Sequence, residues 1–385
     1  MIRKLKIQNY KCLQHVELDL RDRNVFIGPN KSGKSSLLDL FRFVSETITS
    51  RDNLTKIVSA RGGFGEIVWK GSPTKSIRIK FEGIELGSDE SKKVYDYELA
   101  LAADAFGHVA VEQESLLLHE GGRVVVLVET GSGKGHANKL DGTSFYTTSD
   151  LSRAVLSYET PDWAGNAVRD YIKQWQFFDL VPQLARIITN PAAAHFALDP
   201  MGSNLSSWLH TIQSNYPDDF RRILDIARDA FPEVESITTS ITPAGTTFLS
   251  FKERHLQSPV PVLHASGGDL KFLALLSIIL SPIPVPLVCI EEPENHLHPR
   301  LLQLLVDIAN QRRIELAGEV SQAFVTTHSP YLVDRLDPED IVVVEKTNGA
   351  TTLKRPSSAG DLRKLMKEYE STLGELWFHG ALGGV

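Results

Sequence analysis

Residues 28–35 read GPNKSGKS. They stand between an apolar run, NVFI at 24–27, and SSLLDLFRFVSETI, whose apolar positions recur with a period near 3.6. A chain that leaves a strand, turns through glycines and starts a helix at once is committed to an α/β layer arrangement. Gly28, Gly33, Lys34 and Ser35 fill the spacing G-x-x-x-x-G-K-[ST]. Such a loop curls tightly enough to aim backbone N–H groups at phosphate oxygens, at the positive end of a helix. Gly28, Asn30, Ser32, Gly33, Lys34, Ser35 and Ser36 are therefore the expected nucleotide-binding residues. Lys34 would reach the β- and γ-phosphates, and the Ser35 hydroxyl would ligate Mg²⁺. A similar string, ETGSGKGH at 129–136, has Val128 for the first glycine and Gly135 for the hydroxyl residue. No helical pattern follows it, so it reads as a hairpin turn.

The rest of the chain frames that loop. IRKLKIQ, HVELDLR and NVFI read as three short strands before it. Between about 65 and 130, EIVWK, SIRIKFEGIEL, KVYDYELALA, VAVEQESLLL and RVVVLVE predict an antiparallel sheet, and 131–144 a loop. Residues 163–176 and 203–231 read as helical, and SITTSIT and TTFLSF as two strands. From 270 onward strands and helices alternate, which implies a parallel sheet with crossover helices. The expected organisation is an N-terminal lobe over 1–184, a small α/β insertion over 185–260 and a C-terminal lobe over 261–385. No apolar run approaches the roughly 18–20 residues a membrane helix needs. The basic start MIRKLKIQNYK lacks an apolar core and cleavage site, so a cytoplasmic protein without a membrane partner is expected. Cys12 and Cys289 sit in or beside strand-like runs and read as reduced, buried packing residues.

Two later stretches carry chemistry. VPLVCIEEPENHLHP, 285–299, is an apolar strand ending in paired acids, where parallel sheets place their reactive groups. Glu291 would hold Mg²⁺, directly or through water, and Glu292 would polarise the water that attacks a γ-phosphate. His296 and His298 beside them suggest a helix cap or packing role, because no third metal ligand accompanies them. QAFVTTHSP, 322–330, is another strand end, and its His328 can hydrogen-bond the γ-phosphate or its water. A second glycine pair, in HASGGDLKF at 264–272, opens an apolar helix and makes a second anion site from a serine hydroxyl and glycine N–H groups.

Taken in order, the phosphate loop, Ser-Gly-Gly, Glu-Glu and Thr-Thr-His-Ser resemble the motifs of ABC-type ATPase heads. The likeness is to the SMC/RecF/OLD branch and to predicted bacterial ATPases grouped with abortive-infection proteins. It covers about 1–45 and 255–345. It implies a P-loop NTPase with an ABC-ATPase-like head, a mixed core sheet, an antiparallel β-subdomain and a small α/β insertion. It also implies ATP and Mg²⁺ as ligands and an ATP-dependent homodimer. Ser266, Gly267 and Gly268 would there contact the γ-phosphate held by a second copy. Asn9-Tyr10-Lys11 stands for the family's Asn-Phe-Arg, which brings Lys11 towards a phosphate. Gln174 or Gln176 would be the glutamine that senses Mg²⁺. Two departures are Asp269, where the family carries a neutral polar residue, and Lys31, where it often carries glycine. Neither an OLD-type nuclease domain nor an SMC coiled coil is expected in this sequence.

The activity so implied is ATP hydrolysis by a switch that acts in DNA repair or phage defence. The alternative is a nucleotide-dependent regulator of a separately encoded nuclease or toxin, with little turnover. A transporter motor fits less well, because the stretch between the two glycine loops is too long. With a net charge of −7, direct DNA binding needs a local basic patch. Arg51, Lys56, Arg61, Lys70, Lys75, Arg78, Lys80, Arg312, Arg313, Arg363, Lys364 and Lys367 are its candidates, and most read as solvated surface charges.

Overall fold

Alternation decides the first part of the chain. In the computed structural model, which describes residues 1–71, 76–87, 91–131, 133–187, 195–316, 321–356 and 359–380, it begins with β1 (Lys4–Tyr10) and β2 (Leu13–Asp19). Lys75 lies outside the described residues. β3 (Arg23–Ile27) leaves this hairpin for a different sheet, and α1 (Lys34–Thr49) follows the glycine loop. Two short helices, α2 (Leu54–Ser59) and α3 (Phe64–Ile67), then return the chain to β1. β4 (Ser76–Leu86), β5 (Lys93–Ala103), β6 (Val109–Glu120), β7 (Arg123–Gly131), β8 (Lys134–Asn138) and β9 (Ser144–Thr148) extend β1 and β2 into an eight-stranded sheet, in the order β2-β1-β4-β5-β6-β7-β8-β9. The pairings are all antiparallel. Leu5, Ile7, Ile79, Phe81, Tyr97 and Leu99 join the apolar cluster that holds Leu37, Phe41 and Val44 of α1. Lys4, Lys6 and Arg78 pair with Glu17, Glu82 and Glu98 from neighbouring strands. This period-2 division of apolar and charged residues sets the register.

The second half builds the layer under the site. α4 (Asn166–Lys173), β10 (Gln176–Phe178) and α5 (Pro182–Ala185) precede α6 (Leu205–Asn215) and α7 (Pro217–Ala230). A three-stranded sheet follows, made of β11 (Val234–Ile241), β12 (Thr247–Glu253) and β13 (Val260–Pro261). Then come α8 (Gly267–Ile279), β14 (Leu287–Glu291), α9 (Pro299–Glu315), β15 (Gln322–Thr327), α10 (Pro330–Val333), β16 (Ile341–Thr347), β17 (Ala350–Lys354), α11 (Ala359–Glu368) and α12 (Leu373–Phe378). The six-stranded core sheet runs β10-β14-β15-β3-β16-β17, parallel except for the final β16–β17 hairpin. All the parallel strands end on one side, so the phosphate loop after β3 lies beside the ends of β14 and β15. Residues of the 185–260 stretch, such as Leu209, Ile223 and Leu249, share one apolar cluster with Leu273 and Leu276 of α8.

Three local expectations change. EIVWK is not a strand: Phe64–Ile67 is a helical turn, and only Val68 bridges to Tyr10 of β1. The three-residue spacing of Phe64 and Ile67 buries both on one helical face, which outweighs the β-branched composition. The loop expected over 131–144 holds β8, because Ala137 and Asn138 are buried against β7 and β9. The helical stretch 203–231 divides at Tyr216, since Pro217 has no N–H to continue a helix and instead starts the next one.

Candidate functional site

The glycine loop is held from behind by parts of the chain far away in sequence. Gly28 lies so close to β16 that an added Cβ would collide with the Val344 carbonyl oxygen. Gly33 has φ of 114°, in the region only glycine adopts freely, and a Cβ there would strike the Thr351 hydroxyl and Cys12. Thr351 Oγ1 donates to the Ser32 carbonyl at 2.7 Å, and Thr351 N donates to the Cys12 carbonyl at 2.8 Å. Lys31 also has positive φ, 67°. That explains why glycine suits this position, and the lysine carries the strain. Lys34 is 5% exposed, and its Nζ donates to the Gly28 and Pro29 carbonyls at 2.7 and 2.9 Å. Burial lowers its pKa, against the opposing pull of Glu292 and Glu294.

A cavity of about 650 Å³ opens over the loop. Asn30, Gly33, Lys34, Ser35 and Ser36 line it together with Glu292. Trp69 and the β16–β17 turn at Asn348 and Gly349 line it as well. Trp69 is fixed there because its N–H donates to the Asn9 carbonyl and Lys11 N donates to the Ile67 carbonyl. Lys11 reaches the cavity as well, with its ammonium 2.5 Å from Asp39 on α1. Cys12 departs from the expected buried position: it is half-buried, lines the cavity and donates to Ser36 Oγ at 3.3 Å. The tight β1–β2 turn puts it against the loop rather than in the apolar layer. Cys289 is buried as expected.

Acids gather where β10, β14 and β15 end. Burial raises the Glu291 pKa, opposed by a hydrogen bond from Ser35 and by Arg42, while Asp179 and Glu292 add to the rise. Glu292 adopts φ of 40°. Its N–H donates to the Thr326 carbonyl at 3.1 Å, and its Oε2 accepts from Asn295 Nδ2 at 2.8 Å. His328 Nδ1 lies 3.5 Å from Glu292 Oε1 and 3.4 Å from Glu294 Oε1. Glu294 Oε1 also accepts from Thr327 Oγ1 at 2.7 Å and from His328 N at 2.8 Å, which fixes the strand end. His298 caps α9 by accepting from Arg300 N at 3.2 Å, as expected of it.

The second glycine loop is built differently. Ser266 caps α8, accepting from Gly268 N at 3.2 Å, and is exposed. Asp269 turns back to hydrogen-bond Ser266, and burial raises its pKa. That geometry engages the acid within the helix start. Ser266, Gly267 and Gly268 do not line the cavity over the first loop. They lie beyond the 292–298 segment, where a Cβ on Gly268 would approach the His296 carbonyl at 3.0 Å.

Neither glutamine reaches the phosphate-loop cavity. Gln174 ends α4 and donates to the Asp170 carbonyl. Gln176 starts β10 opposite Val288 and lines a separate cavity with Ile278 and Pro284. Asp179, just past the end of β10, faces Glu291 instead. An acid directly after WQFF was its only signal in the sequence. Lys271, a lone cation in an apolar helix, was a second missed signal, and Thr351 had none.

Most of the basic candidates are engaged in ion pairs. Arg61 bonds Asp39 and Glu46, Arg78 pairs with Glu98, Lys80 with Glu82, Lys70 with Glu66, Lys56 with Asp52, Arg312 with Glu315 and Arg313 with Asp22. Among the described residues no helix is long and apolar enough to cross a membrane.

Known structures share this arrangement. A Smc head bound to the C-terminal winged-helix domain of ScpA superposes with a TM-score of 0.55 at 15% identity, over 95% of this chain and 99% of that one. A Smc head with an extended coiled coil, bound to the C-terminal domain of ScpA derived from Pyrococcus furiosus, gives 0.53 at 13% identity, over 96% and 99%. These likenesses establish an SMC-head-like P-loop NTPase fold. No curated protein matches the chain in sequence. The model of one family matches residues 23–334, from β3 to the residue after α10, and so spans the phosphate loop, the acidic strand end and His328. The chain belongs to that family, described as "AAA domain, putative AbiEii toxin, Type IV TA system".

Proposed function

We propose that this protein binds ATP with Mg²⁺ over the Gly28–Ser36 loop and hydrolyses it with Glu292 and His328, in a site completed by Ser266–Gly268 of a second copy. The observation that carries this reading is that Glu292 lines the same cavity as Lys34 and Ser35. A phosphate chain laid on the loop takes the Lys34 ammonium from the Gly28 and Pro29 carbonyls, and the base lies towards Trp69. The oxygen donors Ser35 and Glu291 suit a hard cation, which supplies charge neutralisation at the phosphates when bound. Among the described residues no three His, Cys, Asp or Glu side chains are grouped to hold a metal, and a cation on Ser35 and Glu291 would draw its other ligands from the phosphates and water.

In the reaction, Glu292 takes a proton from water as that water's oxygen bonds to the γ-phosphorus. The bond from that phosphorus to the β–γ bridging oxygen breaks, giving ADP and inorganic phosphate. Lys34 offsets charge on the transferring group, and His328 orients the water and Glu292. The exposed, pre-capped Ser266 loop does not line its own cavity, which suits contact with a nucleotide held by another copy.

We place the output of this switch on a separately encoded nuclease or toxin, in defence or repair, ahead of direct action on DNA. The ion pairing of seven of the basic candidates favours that order. The test is the solution mass of Glu292→Gln protein with and without Mg-ATP. A mass that doubles with ATP, and does not double when Ser266→Arg is added, supports the shared site. A mass indifferent to ATP in a chain that binds ATP refutes it.

A further inference from the structure

Lys271 sits in the second turn of α8 and is 3% exposed. Its ammonium donates to the Glu292 carbonyl at 3.2 Å and to the Leu180 carbonyl at 3.5 Å. Asp179, Glu294 and Glu292 are the charges that face it. Two long bonds to neutral carbonyls are poor compensation for burying an ammonium, and burial accordingly lowers its pKa. An unbranched apolar chain would fill the same path at less cost, so stability does not account for a lysine here. What the ammonium does hold is the peptide that follows Glu292, a non-glycine residue with φ of 40°. Such a conformation costs on the order of 1–3 kcal/mol and persists only where its surroundings impose it. The other end of that constraint is α8, the helix whose first residue follows Ser266.

We propose that Lys271 is the positioning residue that ties the Ser266 loop to Glu292, so that a nucleotide contact made by Ser266 is transmitted to the general base of the same chain. This rests on the ATPase reading above. A phosphate held by a second copy seats the start of α8. The helix carries Lys271 with it, and the Glu292 carboxylate is set against the water in its own cavity. Each site then turns over only when the other is engaged.

The test compares unaltered protein, Lys271→Met and Lys271→Arg at several chain concentrations, with ATP turnover, ATP affinity and thermal midpoint measured on each. Turnover of the unaltered chain should rise with chain concentration as pairs form. Lys271→Met should lower kcat by about tenfold to a hundredfold, with KM within about threefold and no fall in midpoint. Its kcat should no longer rise with concentration, although Lys271→Met/Glu292→Gln still doubles in mass with Mg-ATP. Lys271→Arg should restore most of the activity. The proposal is overturned if Lys271→Met keeps kcat within about twofold of the unaltered chain. It is equally overturned if both variants lose ATP affinity, association and midpoint together, which marks a purely structural lysine. An unaltered chain with neither ATP turnover nor ATP-driven association instead overturns the ATPase reading itself.

Discussion

The two glycine loops begin helices with similar chemistry, but only one is enclosed by its own chain. The first, Gly28–Ser36, is enclosed: Thr351, Val344 and Cys12 press on it from behind, and Gly33 has no room for a side chain. The second, Ser266–Gly268, is an ordinary capped helix start with Ser266 in extended backbone, exposed, and with Gly267 meeting nothing nearer than Pro182 at 3.5 Å. A loop shaped entirely by its own chain can bind alone. A loop left open needs something brought to it.

Lys34→Met sharpens this contrast most. It should abolish ATP binding while leaving the nucleotide-free chain as stable or more stable, because the ammonium is buried and its hydrogen bonds go to two neutral carbonyls. Calorimetric titration with ATP beside thermal unfolding checks both halves. A variant that melts lower and still binds ATP would show that the first loop is not the primary site. Next, Gly33→Ala should lose ATP affinity by about a hundredfold or more, through positive φ and the clash with Thr351. Gly267→Ala should leave the unpaired chain's ATP affinity intact and raise its stability by roughly 0.4–1 kcal/mol, since alanine fits a helix start with space around it. Equal effects at the two glycines would erase the comparison. Removing one hydroxyl behind each loop is a smaller step. Thr351→Val leaves the Ser32 carbonyl buried without its donor, at about 1–3 kcal/mol in urea unfolding. Ser266→Ala should cost about 1 kcal/mol, the usual loss for a cap.

The smallest effect is in pH dependence. Burial raises the Asp269 pKa above its ordinary 3.8 in the folded chain. The folded state therefore holds this proton more tightly than the unfolded state does, and stability falls as pH rises from 3.8 through the folded pKa. Asp269→Asn should flatten that decline in urea unfolding across the acid range. An unchanged slope would mean that Asp269 is solvated and does not hold Ser266.

Local patterns were legible wherever the deciding contacts were local. The alternation in β4 to β7 and the strand–loop–helix at 24–49 appear as written, because period and turn chemistry need only neighbours. EIVWK misled because the burial of Phe64 and Ile67 on one helical face outweighed β-propensity. The two glutamines were chosen for their type, but strand register placed Gln176 at the far end of β10 and Asp179 beside Glu291.

The order of glycine, lysine and serine after a strand determined that this chain has a strand, glycine loop and helix of the P-loop kind, and the acids after an apolar strand determined where a general base would be sought. Those features are written within a few residues of each other. Tertiary structure alone decided that Thr351 backs a loop 319 residues away and that Lys271 reaches Leu180, 91 residues before it, as well as Glu292. A buried hydroxyl or ammonium takes its meaning from the carbonyl it meets. Which carbonyl that is depends on how strands from the two ends of the chain come to lie side by side in one parallel sheet.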